Sequence, residues 1–258
     1  MAASLPERLA DGTPVRAFAE VDSTMRHARE AFAAGETGPL WIVGAIQTAG
    51  RGRAGRAWSS EAGNFAGTLL LTLEAAPALL GTLSLVVAVA VADTLEEAGV
   101  PGLSLKWPND VLAGGAKIAG ILIETAGTSG GAPGRSGATR AAIGIGINLA
   151  HHPAGIAYPV TDAAAETGRA PAVADVLAAL SARLRARIGE WEREGFAPAR
   201  ARWLALGPQS GAMLTGNGPA GPVTGSYDGL DPDGGLRLAT PSGIVRITAG
   251  DVIPAQET

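Results

Sequence analysis

The chain has 258 residues, 47% hydrophobic and 17% charged, which fits one large domain or a domain with a small appendage and excludes a disordered chain. Its formal net charge of -4 argues against a general nucleic-acid or membrane-surface binder, which would carry a large positive excess. It has no cysteine, so disulfides, thiolate catalysis and cysteine-held zinc are excluded.

The N-terminus lacks the apolar core of a signal peptide. Residues 15–20 alternate and predict a strand, and Asp22-Ser23-Thr24 then reads as the N-cap of a helix over 24–34 that stops at Gly35. The apolar run 40–47 predicts a buried strand ending at Gln47. GRGRAGRAW follows at 50–58, and a further strand is predicted over 68–73. Residues 79–98 predict a long buried helix; Gly81, Thr82, Ser84 and Asp93 interrupt the run, which favours a core helix over a membrane span. A short strand over 103–107, then 111–113 and 116–124 joined at Gly114-Gly115, predict a hairpin. Residues 126–140 are low-complexity and predict a flexible insert. A buried strand over 141–148 carries Gly144 and Gly146 on one face, which leaves room for something to lie against it. Helices are predicted over 162–167, 173–194 and 198–205. From 210 to 256 short alternating runs rich in glycine, proline, threonine and valine predict a small all-β module. The fold class expected is α+β, a mixed or antiparallel sheet with helices over 1–206, followed by the β module over 207–258. A soluble cytoplasmic protein is expected.

The run 50–58 carries three arginines among three glycines and ends in Trp58. Such a run cannot pack as a core, and glycine weakens a helix by about 1 kcal/mol per residue. Arginine brings a fixed fork of donors suited to phosphate or carboxylate. The stretch alone fits a mobile cationic loop that folds over an anion, and equally a solvated basic loop. On an acidic chain it is a local cationic spot, which points to a small anionic ligand.

Of the 20 basic residues only Lys106 and Lys117 are lysine, and the other 18 are arginine. A strong bias toward arginine makes these positions candidates for a compact ammonium. Lys106-Trp107-Pro108-Asn109-Asp110 places a cation, an amide and a carboxylate in one turn, and the hairpin returns Lys117 beside it. An ordinary surface turn has the same composition. Gln47 can donate and accept, as a ureido or amide group requires, or simply end a strand. Ser23-Thr24 offers hydroxyls or only a cap, and Asn148 reads a base or ribose or only turns the chain. His27, His151 and His152 lack ligand spacing, so no metal held by protein alone is expected. No P-loop element is present.

Ser23-Thr24, Gln47 with GRGRAGRAW, KWPND at 106–110, KIAGILIE at 117–124 and GIGIN at 144–148 together resemble the biotin–protein ligases (biotin–[acetyl-CoA-carboxylase] ligases). The resemblance covers nearly the whole chain and implies a class II synthetase-like catalytic domain with a small C-terminal SH3-like β-barrel. It implies that biotin and ATP give biotinyl-5′-AMP, and that a lysine of a biotin carboxyl carrier domain then takes the biotin. It implies catalytic roles for Lys117, Arg53 and Arg51. The biotin site would comprise Ser23, Thr24, Met25, Gln47, Gly50, Arg51, Gly52, Arg53, Lys117, Gly120, Gly144 and Gly146. The ATP and adenylate site would comprise Arg53, Arg56, Trp58, Lys106, Asn109, Asp110 and Asn148. Mg²⁺ would arrive with ATP, with Asp110 as its contact.

Three features depart from the family pattern. Met25 stands where an asparagine often follows the serine–threonine pair, and Ala54 where another basic residue is common. The insert at 126–140 has no counterpart. The catalytic region begins at the first residues, so a ligase without the N-terminal DNA-binding domain of the repressor members is expected, as monomer or homodimer, with neither nucleic acid nor membrane as partner. The alternatives are a lipoate–protein ligase on the same fold, and a nucleic-acid-binding module without catalysis.

Overall fold

The computed structural model describes residues 5–127, 138–218 and 221–255. Seven strands form the first sheet: β1 (Val15–Val21), β2 (Leu40–Gln47), β3 (Phe65–Leu73), β4 (Leu103–Lys106), β5 (Asp110–Ala113), β6 (Ala116–Gly127) and β7 (Thr139–Ile147). Their order is β1-β2-β3-β7-β6-β5-β4. β1 and β2 run parallel, and every other neighbouring pair is antiparallel, so the sheet is mixed.

Helices cover both faces. α1 (Thr24–Ala33) lies on one face, where Met25, Ala28 and Ala31 pack with Leu40, Ile42, Leu70 and Ala142. The other face carries α2 (Leu83–Glu97), with α4 (Val173–Glu194) and α5 (Ala197–Leu206) outside it; the short α3 (Ala163–Thr167) precedes them. From Leu83 to Leu95 every residue of α2 except Ser84 is buried. A helix apolar on all sides must be covered on all sides, and each fully buried leucine or valine contributes roughly 1.5–3 kcal/mol. The segment Pro77–Glu97 is long and apolar enough to cross a membrane, but 72% of its most apolar window is buried inside the protein.

Three boundaries of the first domain differ from expectation by three residues or more. The helix predicted over 79–98 opens as a 3₁₀ turn over Pro77–Thr82 and becomes α-helical at Leu83. Gly81, inside that turn, disfavours α-helix there. β3 begins at Phe65, because Phe65 to Leu73 pairs without a break along β7. β6 and β7 pair out to Gly127 and Thr139, so the ends of the expected flexible insert are strand; the rest of it, 128–137, lies outside the described residues. Cross-strand pairing overrides the weak strand propensity of Ala126 and Gly127.

The C-terminal module holds β8 (Met213–Gly218), β9 (Gly221–Leu230), β10 (Leu236–Thr240), β11 (Gly243–Ile247) and β12 (Val252–Pro254) in the antiparallel order β11-β10-β9-β8-β12. Ile247 of β11 and Val252 of β12 both press on Gly216 of β8, where a β-carbon would meet them at 3.3 and 3.1 Å. The sheet therefore curls in the manner of an SH3-like barrel, although its end strands are not hydrogen-bonded to each other. One core continues across the expected boundary at 206/207: Leu214, Tyr227, Leu230, Leu236 and Leu238 pack in the same cluster as α2, α4 and α5. Trp107 Nε1 adds a 3.0 Å hydrogen bond to the carbonyl of Gly234.

Candidate active site

On the α1 face, the carboxyl-terminal end of β2 opens into the glycine–arginine run. The run forms a hairpin. Gly52 N donates to Arg56 O at 2.7 Å, and Trp58 N donates to Gly50 O at 2.9 Å. Its tip is a 3₁₀ turn over Arg53–Gly55 in which Ala54 has φ +54. A left-handed conformation at a residue with a β-carbon is uncommon and mildly strained. None of the three tip residues is buried.

The hairpin closes over a small cavity of about 60 Å³. Its walls include Ser23, Thr24, Met25 and Gln47 from the β1–α1 and β2 side, and Arg51, Gly52, Arg53, Arg56 and Trp58 from the hairpin. Asn109, Lys117, Gly120, Gly144 and Gly146 complete the set from the sheet. Gly120 of β6 is paired with Gly146 of β7, and these two glycines form a floor. Trp58 rests on it: a β-carbon on Gly146 would stand 2.3 Å from the indole, and one on Gly120 would stand 3.1 Å from it. Gly50 is needed for a different reason. A β-carbon there would meet Trp58 O at 2.6 Å. The thioether of Met25 fills the notch left by Gly144, where a β-carbon would stand 2.8 Å from Cε.

A directed polar chain runs along one wall. Thr68 Oγ1 donates to Thr24 Oγ1 at 2.9 Å, and Thr24 donates through its N–H and its hydroxyl to Gln47 Oε1 at 2.9 and 3.1 Å. The carbonyl side of Gln47 is thereby occupied, which leaves its amide N–H₂ group as the donor for a ligand. Ser23 takes the N-cap position of α1 but its side chain does not cap the helix.

Lys117 stands at the far end. Its Nζ is 2.7 Å from Asp110 Oδ1, with both side chains only 15% exposed. The ammonium is 5.5 Å from the ring centre of Trp58 and 5.9 Å from that of Tyr158, within cation–π range. Its backbone is held by the loop after β7, with Lys117 N donating to Pro159 O and Thr161 N to Lys117 O. Asn109 is 6% exposed; its Nδ2 donates to Ile121 O, and its Oδ1 accepts from Arg53 Nη1 at 3.0 Å.

Four expected residues are not among the walls of the small cavity: Gly50, Lys106, Asp110 and Asn148. Lys106 lines an adjoining cavity of about 690 Å³ together with Asp110, Lys117 and Tyr158. Asn148 is 3% exposed, and its amide donates to Thr161 O at 3.0 Å. It braces the loop that carries Tyr158 rather than lining the cavity. Thr68 and Tyr158 line the cavity without having been singled out from the sequence. Thr68 sits in an apolar run and reads as a strand residue, and Tyr158 sits in a loop without periodicity. Among the described residues, no group of three or more His, Cys, Asp or Glu side chains is arranged to hold a metal ion.

Residues 17–148 match the model of the biotin/lipoate A/B protein ligase family, and residues 212–253 match that of the biotin protein ligase C terminal domain. The chain is 39% identical over 245 residues to the biotin–[acetyl-CoA-carboxylase] ligase of Paracoccus denitrificans, covering 91% of this chain and 98% of that one. It is 34% identical to the bifunctional ligase/repressor BirA of Escherichia coli over 76% of this chain and 60% of that one. The biotin protein ligase of Aquifex aeolicus, solved in complex with biotin and ATP, superposes with a TM-score of 0.79 at 28% identity, over 93% of this chain and 99% of that chain.

Proposed function

The chain belongs to the biotin/lipoate A/B protein ligase family, and we propose that its site joins biotin to AMP at the expense of ATP and then passes the biotin to a lysine of a biotin carboxyl carrier domain. The observation that carries this is one arrangement: a half-buried ammonium, Lys117, faces a three-arginine hairpin across a glycine floor. In the first step a biotin carboxylate oxygen attacks the α-phosphorus of ATP, and the bond to pyrophosphate breaks. In the second step the acceptor lysine's free amine attacks the acyl carbon, and AMP leaves. The first step brings two anions together, and in the second AMP departs as an anion. Positioned cations that offset this repulsion supply most of the catalysis in such a reaction.

The residues divide as follows. Ser23, Thr24 and Gln47 bond the ureido ring, with Thr68 fixing the direction of Thr24 and Gln47. Met25, seated in the notch of Gly144, faces the apolar part of biotin, and Gly146 seats Trp58. Lys117 contacts the carboxylate and the α-phosphate oxygens. Arg51, Arg53 and Arg56 neutralise phosphate charge, and the hairpin excludes water from the mixed anhydride. Trp58 and Tyr158 offer faces to the adenine. Asp110 and Lys106 line the adjoining cavity, where the leaving phosphates pass. A magnesium ion carried by the triphosphate would have one carboxylate there to hold it, Asp110, which would suit an ion that keeps water and phosphate among its ligands.

The test is pyrophosphate release from the purified protein with ATP and either biotin or lipoate. Release with biotin and not with lipoate is expected; release with lipoate alone would overturn the assignment.

A further inference from the structure

The C-terminal module touches the arginine hairpin through the turn between β11 and β12. Arg53 Nη1 and Nη2 each lie 3.3 Å from the carbonyl oxygen of Gly250, and Nη1 lies 3.4 Å from Asp251 Oδ1. Arg56 Nη2 lies 3.0 Å from Asp251 Oδ2. One carboxylate thus bridges the two guanidiniums that flank the 3₁₀ tip. The turn is itself shaped for this. Gly250 has φ +92 and sits with the Asn217 side chain against it, where a β-carbon would lie 3.2 Å from Nδ2. A residue with a side chain would strain this turn and shift the carbonyl that faces Arg53.

The hairpin needs such a tie. Its two backbone rungs hold it together internally, but its tip buries no side chain, so no apolar contact presses that tip onto the protein. What fixes the tip is polar: Asn109 on one side of Arg53, and Gly250 with Asp251 on the other. Segments with little buried apolar surface open most readily.

We propose that Asp251, with the Gly250 carbonyl, is a latch supplied by the C-terminal module that holds the arginine hairpin down over the site. Asp251 touches no reacting atom; it is a positioning residue that acts through Arg53 and Arg56. Given the adenylating reaction assigned above, on which this proposal rests, the latch sets how long the acyl-adenylate stays enclosed before an acceptor lysine arrives. The C-terminal module then has a defined part in the chemistry of the first domain.

The test compares wild type, Asp251→Asn and Asp251→Glu by two measurements. The first is limited trypsin digestion of the ligand-free proteins, read at Arg51, Arg53 and Arg56. The second is the rate at which pre-formed adenylate leaves each enzyme, chased with unlabelled biotin and ATP. Asp251→Asn should be cut in the hairpin about fivefold faster and release adenylate about fivefold faster, the size expected for one partly exposed ionic tie. Asp251→Glu should restore both rates toward wild type, and all three should form similar amounts of adenylate per enzyme. Equal cleavage and equal release in Asp251→Asn would overturn the latch. So would faster cleavage spread over the whole chain with a lowered melting temperature, which marks general destabilisation. Absence of adenylate in the wild type would instead refute the assigned reaction, and the trypsin comparison would still decide whether the latch exists.

Discussion

The indole of Trp58 occupies the space that a side chain on Gly146 would need: a β-carbon there would stand 2.3 Å from Cε2 and 2.4 Å from Nε1. The contact joins the hairpin to the centre of the sheet, because Gly146 pairs with Gly120 on β6 and with Ala66 on β3. A methyl group at Gly146 cannot be accommodated unless Trp58 moves.

Gly146→Ala should therefore leave the sheet intact and displace the hairpin. Losing one well-packed aromatic face is worth about 1–1.5 kcal/mol, which is roughly tenfold in affinity. The Michaelis constant for ATP should rise by about that factor, with faster tryptic cleavage in the hairpin. A Michaelis constant within twofold of wild type would show that Trp58 is not needed where it lies.

Lys117→Arg should abolish most adenylation while keeping the charge. Lys117 Nζ sits between Asp110 at 2.7 Å and the floor at Gly120, where a β-carbon would already be 3.3 Å from the ammonium. A planar guanidinium is wider and cannot take the place of a point donor in that gap. The expected loss is roughly a hundredfold in the rate of adenylate formation, the usual scale for removing one preorganised donor. Single-turnover pyrophosphate release measures it, and a rate near wild type would remove Lys117 from the reacting centre.

Some of this architecture is legible in the residues and some is not, for physical reasons. β2 and α4 match their predicted bounds, because a continuous apolar run or a 3.6-residue stripe fixes an element locally. The glycines of β7 announce that something lies against them, and that something is Trp58 and Met25. The form of the hairpin is not legible, since its rungs are backbone bonds, Gly52 to Arg56 and Trp58 to Gly50. Asp251 is invisible too: it meets Arg53 across 198 positions of sequence, and nothing in a Gly-Asp turn marks its partner. Asn148 shows the converse. Its amide suits a nucleotide, but a backbone carbonyl at Thr161 uses it, and a sequence does not disclose which carbonyl a strand end will face.

Thr68→Val tests the polar chain. Thr68 is fully buried, and its hydroxyl donates to Thr24, which donates to Gln47. Valine keeps the shape and removes the hydroxyl, so Thr24 loses the donor that directs its own proton toward Gln47. One hydrogen bond is worth about 1 kcal/mol, or roughly fivefold. The Michaelis constant for biotin should rise by that factor while that for ATP stays near wild type. An equal rise in both would show that the effect is a general loss of structure.

Tyr227→Phe should change stability chiefly in alkali. The residue is 4% exposed, and its hydroxyl is buried without a hydrogen-bond partner among the described residues. Burial pushes its ionisation up from 10.0 to about 12, opposed by the charge of Arg200. The sign follows from which state gives up its proton first. Below pH 10 both states are neutral and the contribution is fully present. As pH rises toward about 12 the unfolded chain ionises and the folded one resists, so stability is lost across that window. The loss for one tyrosine is on the order of 1–2 kcal/mol after allowing for partial solvent access. Urea unfolding should show the wild-type midpoint falling over that pH window more steeply than that of Tyr227→Phe, with the variant equal or slightly more stable near neutral pH because no unsatisfied hydroxyl remains buried. Parallel curves for the two proteins would mean that Tyr227 reaches water in the folded state.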